Sequence, residues 1–194
     1  MPPSTRDDDT WQAWWDDRKA ALERILGPAD SEVLHATMPL ALGGQADVMQ
    51  FRPPNMGVTY VTADLIGESG QPETSLGQYE LMICQRDDQQ DWAPTLISQL
   101  AAYTLEVPLQ PWDTMTIAPA LPDDSNISDA LFVPYAEFEV RTKKCGLLLC
   151  LGLTEAELNY CRTVDCDPVI DKLKEAGEYP FTTPGRASVI ELQD

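Results

Sequence analysis

Apolar residues recur along this chain with two different periods, and the changes of period mark out its elements. The longest apolar run, residues 147–153 (Leu-Leu-Leu-Cys-Leu-Gly-Leu), lacks the alternation of a strand with one wet face. It predicts a strand covered on both sides, near the middle of a sheet. Thr154-Glu155-Ala156-Glu157 follows at once and reads as a capping box. In such a box the Thr hydroxyl accepts from the amide of the Glu, whose carboxylate accepts from the amide of the Thr. A covered strand therefore passes straight into a helix.

Helical spacing over residues 9–26 sets Trp11, Trp15, Leu22, Ile25 and Leu26 on one side of a first helix, and Gly27-Pro28 stops it. Asp7, Asp8 and Asp9 suit its positive end. Residues 1–8 read as a flexible acidic tail and 9–194 as a single domain. Strand character follows at 32–36, 46–51 and 58–65. The Gly- and Pro-containing residues 67–77 predict a loop, and 79–84 a strand apolar on both faces. The polar run 85–91 leads to a helix over 93–105, with Leu96, Ile97, Leu100, Ala101 and Leu105 on one stripe. A short strand at 115–118, a polar loop at 119–129 and an extended segment at 131–140, bent at Pro134, lead into the covered strand. Asp167-Pro168 opens a last helix carrying Val169, Ile170, Leu173 and Ala176, which Gly177 closes. Residues 186–192 predict a final strand on the sheet edge. The fold class is α/β (α+β), a mixed sheet with helices packed on it.

Charge narrows the function more than length does. The 194 residues carry 32 acids against 13 Lys and Arg, a formal charge of -19. Such a surface repels phosphate backbones and anionic headgroups, which argues against nucleic-acid and membrane-surface binding. It serves solubility, captures a basic partner, or mimics a polyanion. The first nine residues lack the apolar core of a secretory signal, and no run reaches membrane-spanning length. Five cysteines in a chain of this size read as reduced thiols, so the expected location is cytoplasmic.

Candidate chemistry is sparse. His35, the single histidine, lies in strand-like sequence with no nucleophile signature beside it. Cys145 and Cys150 are five apart on an extended segment, so their side chains face opposite ways and cannot share an ion. Cys161 falls on a helix stripe with Leu158 and Val164, as a small buried hydrophobe does. Asp16-Asp17, Asp87-Asp88 and Asp123-Asp124 sit in polar runs, as solvated acids do. No metal and no cofactor is expected. A rival reading, a small hydrolase or metal-dependent enzyme, has to use Asp64, Asp113 and His35.

An ordered set of short stretches adds a family. It comprises Tyr79-Glu80-Leu81, Leu96-Ile97-Ser98-Gln99-Leu100-Ala101-Ala102-Tyr103, Pro111-Trp112-Asp113, the passage Leu151-Gly152-Leu153-Thr154-Glu155-Ala156-Glu157-Leu158, and Val169-Ile170-Asp171-Lys172-Leu173. Together, over residues 11–192, they resemble a suppressor of fused domain of the short bacterial kind. The resemblance implies a non-enzymatic α/β sandwich that binds another protein or an extended peptide. For bacterial members it implies an immunity protein that neutralises a toxin, here a basic one. In animal members the peptide belongs to a transcription factor and also engages a second domain, for which this chain is too short. The family turn often reads Gly-Asp, with the carboxylate near the peptide groove. Asp113 matches that Asp, and Trp112 stands in place of the Gly. Asp113, Trp112 and Tyr135 are the expected partner-binding residues.

Overall fold

The structure is a computed structural model and describes residues 5–67, 70–86 and 91–190. Its centre is a strand, β7 (Lys143–Thr154), of which ten of twelve residues are buried. Leu147, Leu149, Leu151 and Leu153 face one apolar cluster, while Leu148 and Cys150 face another. Covering on both sides is therefore real, and β7 sits inside the sheet between two neighbours. One is β4 (Gln78–Gln85), buried along its whole length; the other is β6 (Ile127–Val140). With β1 (Ala29–Leu34), β2 (Val48–Phe51), β3 (Val58–Thr62) and β5 (Thr114–Thr116), they make one seven-stranded sheet in the order β1-β2-β3-β4-β7-β6-β5. Only the β4–β7 pair is parallel, as a mixed sheet requires. A two-residue turn with Arg141 and Thr142 both at positive φ joins β6 to β7, the geometry that suits a twisted hairpin.

Helices cover both faces of this sheet. One face holds α2 (Trp92–Thr104), whose Ala93, Leu96, Ile97, Leu100 and Ala101 pack on Tyr60, Tyr79, Leu81 and Phe132. The other holds α1 (Thr5–Leu26), α3 (Glu155–Thr163) and α4 (Asp167–Glu175), whose Leu22, Leu158, Val169 and Leu173 pack on Met82, Leu147 and Leu151. The α2 prediction needs one residue of correction at each end. The box at Thr154 is present: its hydroxyl accepts from the Glu157 amide at 3.4 Å, and Glu157 Oε2 from the Thr154 amide at 2.9 Å.

Other boundaries differ for physical reasons. Helix α1 begins at Thr5, so residues 5–8 of the expected tail are helical, and residues 1–4 lie outside the described residues. Strand β6 begins at Ile127, inside the stretch expected to be loop, because its first residues pair with the end of β7. The expected edge strand at 186–192 is not one: residues 186–190 are irregular, and Leu192 lies outside the described residues. There Arg186 turns inward to Glu157 and Val189 packs on the core, so its apolar residues are used without strand pairing. Val164 is 63% exposed and does not extend a buried stripe with Cys161. Asp87-Asp88 and the side chain of Trp11 fall outside the described residues.

Gly152 lies where β7 packs closely against β6 and the segment after α4. A Cβ there would meet Thr182 Cγ2 at 2.5 Å and Ile127 Cγ2 at 2.9 Å, both in packed surroundings. Gly152→Ala is expected to lower stability by roughly 1–3 kcal/mol, the usual cost of overpacking, read as a lower urea midpoint with an unchanged slope.

Two buried ion pairs tie the layers together. Glu80 on β4, 0% exposed, accepts from Thr62 Oγ1 (2.6 Å) and from the amides of Leu65 and Ile66 (3.0 and 2.9 Å). Arg18 of α1 brings its Nε to 3.6 Å from Glu80 Oε1, and its Nη1 donates to Ile66 O at 2.6 Å. Glu157 and Arg186 form the second pair, at the start of α3.

Candidate functional site

Strand β5 lies at one edge of the sheet, and the turn that delivers the chain to it carries Trp112 and Asp113. The turn is held at both ends. Trp112 N–H donates to Phe132 O at 2.7 Å, and Phe132 N–H donates to Asp113 O at 2.9 Å. Asp113 N–H donates to Gln110 O (3.1 Å), while Asp113 Oδ2 accepts from Gln110 N–H (2.8 Å). Trp112 adopts φ +74°, the left-handed region where an L side chain costs about 1–2 kcal/mol. The turn thus keeps the backbone shape a glycine would take, yet carries the largest side chain available. That side chain is not hidden either; Trp112 is 47% exposed.

Trp112 leans over an open groove of about 350 Å³ between the sheet edge and α4. Val133 of β6 lines the same groove, and Asp167, Asp171, Lys174 and Tyr179 form its far wall. Lys174 is already engaged, with Nζ at 3.1 Å from Asp171 Oδ1 and over the Tyr179 ring at 5.7 Å from its centroid. Aromatic faces beside carboxylates make surroundings that attract cations.

Of the three expected binding residues, Trp112 lines this groove, while Asp113 and Tyr135 do not. Tyr135 lies on β6 two residues past Val133, is half-buried, and donates its hydroxyl to Met56 Sδ at 3.2 Å. Burial, with Cys84 and Tyr179 nearby, pushes its phenol above the ordinary value. Asp113 is exposed and its carboxylate closes its own turn. Asp167, Asp171 and Tyr179 were not foreseen. The spacing of Asp167 and Asp171 on α4 is visible in the chain, and Tyr179 follows that helix, but nothing local tells which strand edge it will face.

The residues of the enzyme reading do not meet. Asp64 follows β3 and Asp113 precedes β5, four strand spacings apart in the sheet, or about 19 Å. Asp64 and His35 do share one network. His35 Nδ1 lies 2.7 Å from Asp47 Oδ2, and Asp47 N–H donates to Asp64 Oδ2 at 2.8 Å. Burial raises the Asp64 carboxyl, offset by the Asp47 amide and Arg18. These contacts hold the residues 35–47 against the sheet. Among the described residues, no three His, Cys, Asp or Glu side chains are grouped to hold a metal. Among them too, no helix is long and apolar enough to cross a membrane.

Solved suppressor of fused structures share this fold. A suppressor of fused homologue from Neisseria gonorrhoeae FA 1090 superposes with a TM-score of 0.67 at 19% identity, over 95% of this chain and 99% of that one. The protein in a Sufu–Fu complex crystal structure gives 0.66 at 13%, over 93% and 92%. Drosophila Suppressor of Fused gives 0.67 at 14%, over 93% of this chain and 51% of that one. Among curated proteins none matches. The family model for the suppressor of fused protein (SUFU) matches residues 45–187, which include the sheet from β2 onward, the Trp112 turn and α4. The chain belongs to the suppressor of fused family.

Proposed function

We propose that this protein is a binding module that holds an extended, positively charged segment of another protein along the β5 edge, with a basic side chain in the groove under Trp112. The observation that carries this reading is Trp112 itself: a large aromatic residue kept exposed, at a strained backbone position, in the turn that leads into an edge strand. Edge strands bind extended peptides through main-chain hydrogen bonds, while neighbouring pockets select side chains. Asp167 and Asp171 on the groove wall and the -19 charge of the whole chain favour a cationic partner and speed its approach. A related protein of the same fold is known in a Sufu–Fu complex, which supports a protein partner. In the bacterial setting the reading becomes an immunity protein in the cytoplasm, one that occupies and neutralises a basic toxin.

The test begins with the protein captured from the native host and then purified. Its affinity is expected to fall at least about tenfold for Trp112→Ala, as at an aromatic hot spot, and to weaken with added salt. The fold of that variant stays intact, with stability within about 0.5 kcal/mol of Trp112→Ser. Equal binding by wild type and Trp112→Ala would sink the proposal. For the toxin reading, co-expression has to restore growth of cells that produce the captured protein. The turn offers a separate check: Trp112→Gly should be more stable than Trp112→Ala by about 1 kcal/mol, because glycine takes positive φ without strain.

A further inference from the structure

An exposed apolar side chain is ordinary by itself and informative when several share one face. Leu42 is 73% exposed, more than any other large apolar residue among the described residues, and Met38 is 51% exposed. Both belong to a turn over residues 38–45 that lies along the outer side of α2. Ala46 N–H donates to Ser98 O at 3.3 Å and Ser98 Oγ to Ala46 O at 2.5 Å, which ties the end of this turn to the helix. Between turn and helix runs an open groove of about 420 Å³, lined by Met38, Gly43, Gly44, Gln99 and Ala102.

The turn holds Leu42 outward by its own construction. Leu40, two residues earlier, is buried in the core under α2 and anchors it. Leu42 N–H donates to Pro39 O (3.0 Å), Gly43 N–H to Leu40 O (2.9 Å) and Gln45 N–H to Met38 O (3.0 Å). Gly43 takes φ +81°, and a Cβ on Gly44 would meet Met38 O at 1.9 Å, so the turn closes tightly on itself.

Charge sets this face apart from the rest of the molecule. Residues 36–46 and 92–105 contain no Asp, Glu, Lys or Arg, in a chain of formal charge -19. The outer side of a surface helix ordinarily carries charged residues. Helix α2 instead turns Thr95, Gln99 and Tyr103 to solvent, and the acids Asp91 and Glu106 stand beyond its two ends. Two copies of so acidic a chain repel each other, least where neither presents a charge. A basic partner gains nothing from such a face, so its neutrality selects a second copy of the chain. A twofold pair needs a projection and a recess side by side on one surface, and Leu42 and the groove supply them.

We propose that this face is a self-association surface, on which two copies pack about a twofold axis with Leu42 of each in the other's groove between the turn and α2. It lies on the α2 side of the sheet, whereas the Trp112 groove is built with α4 on the opposite side, so the two surfaces are independent.

Analytical ultracentrifugation of the full chain from about 1 to about 500 μM tests the pairing. The mean mass is expected to climb from one chain toward two. The dissociation constant should fall at least about threefold between about 0.05 and 0.5 M sodium chloride, because salt screens the repulsion between acidic chains. Binding of a basic protein at the β5 edge responds to salt the other way, which separates the two. Leu42→Asp places a charge on each side of the axis and should raise the dissociation constant at least about tenfold; Gln99→Glu on the groove wall should raise it at least about threefold. Both positions are exposed, so the urea midpoints of these variants stay at the wild-type value. Val164→Asp, an equivalent change at an exposed site at the end of α3, should leave the pairing unchanged. A single-chain mass at every concentration in both salts would overturn the proposal and leave the face to a different protein. So would a Leu42→Asp protein that pairs as tightly as wild type, or pairing that salt weakens.

Discussion

Arg186→Met is expected to lower the free energy of unfolding by about 3–5 kcal/mol, the range for stripping one partner from a buried ion pair. Arg186 grips Glu157 with both ends of its guanidinium, Nη1 to Oε1 at 2.6 Å and Nη2 to Oε2 at 2.5 Å. Nη2 also donates to Gly152 O at 2.8 Å. Glu157 in turn accepts from the amides of Thr154 and Val189, both at 2.9 Å. One carboxylate thus joins the end of β7, the first turn of α3 and the C-terminal segment. Without Arg186 it is a buried anion with only amides for company. Urea unfolding at pH 7 measures the loss. The double variant Arg186→Met, Glu157→Gln should regain at least half of it, because the neutral amide carries no charge to strand. A single-variant loss under about 1 kcal/mol would mean that water reaches the pair and screens it.

Acid should narrow that difference. Burial pushes Glu157 up, but the Arg186 hydrogen bonds and the Val189 and Thr154 amides outweigh it, so its folded value lies below the ordinary 4.5. A depressed carboxylate contributes stability that is present above 4.5 and lost as pH falls through the folded value. Wild type should therefore approach the Arg186→Met protein as pH falls from 4.5 through the folded value of Glu157.

Glu80 is expected to act with the opposite sign in a higher window. Burial pushes its carboxyl from 4.5 to about 7, even with Arg18, the Ile66 amide and the Thr62 hydroxyl opposing the shift. Between those two values the folded chain holds a proton that the unfolded chain has lost. Its contribution is fully present below pH 4.5 and disappears as pH rises to about 7. The total is on the order of 3 kcal/mol. Glu80→Gln mimics the protonated side chain, so its stability should lack this part of the decline that wild type shows across the window. Repulsion among the surface acids slopes both curves alike, so their difference isolates Glu80. Parallel curves from pH 4.5 to 7 would overturn the assignment.

The origin of each pair shows why only part of this molecule could be read ahead. Thr154 and Glu157 meet three residues apart, within one turn of helix, and so the box was legible in the chain. Arg186 reaches the same Glu157 from 29 residues away; its own neighbourhood suggested a strand, which the structure replaces with an irregular segment. Likewise the fully apolar runs of β4 and β7 announced covered strands, but nothing in either run said that they pair with each other in parallel. At the candidate site, Trp112 and Asp113 were visible as a turn. The left-handed backbone at Trp112 was hidden, since its φ is set by pairing of both flanking amides to Phe132 and Gln110.

By itself the sequence determined a mixed α/β scaffold, the capped entry into α3, the amphipathic face of α2 and a formal charge of -19. Each of these follows from side-chain period, local hydrogen bonding or summed charge, and none needs distant residues to meet. Tertiary structure alone decided that α4 faces the β5 edge to make a groove, and that Glu80 and Glu157 find Arg18 and Arg186. Those contacts depend on strand order and helix placement, which arise from packing the whole core at once. A period of two or 3.6 residues specifies which way a side chain points, not what it will find there.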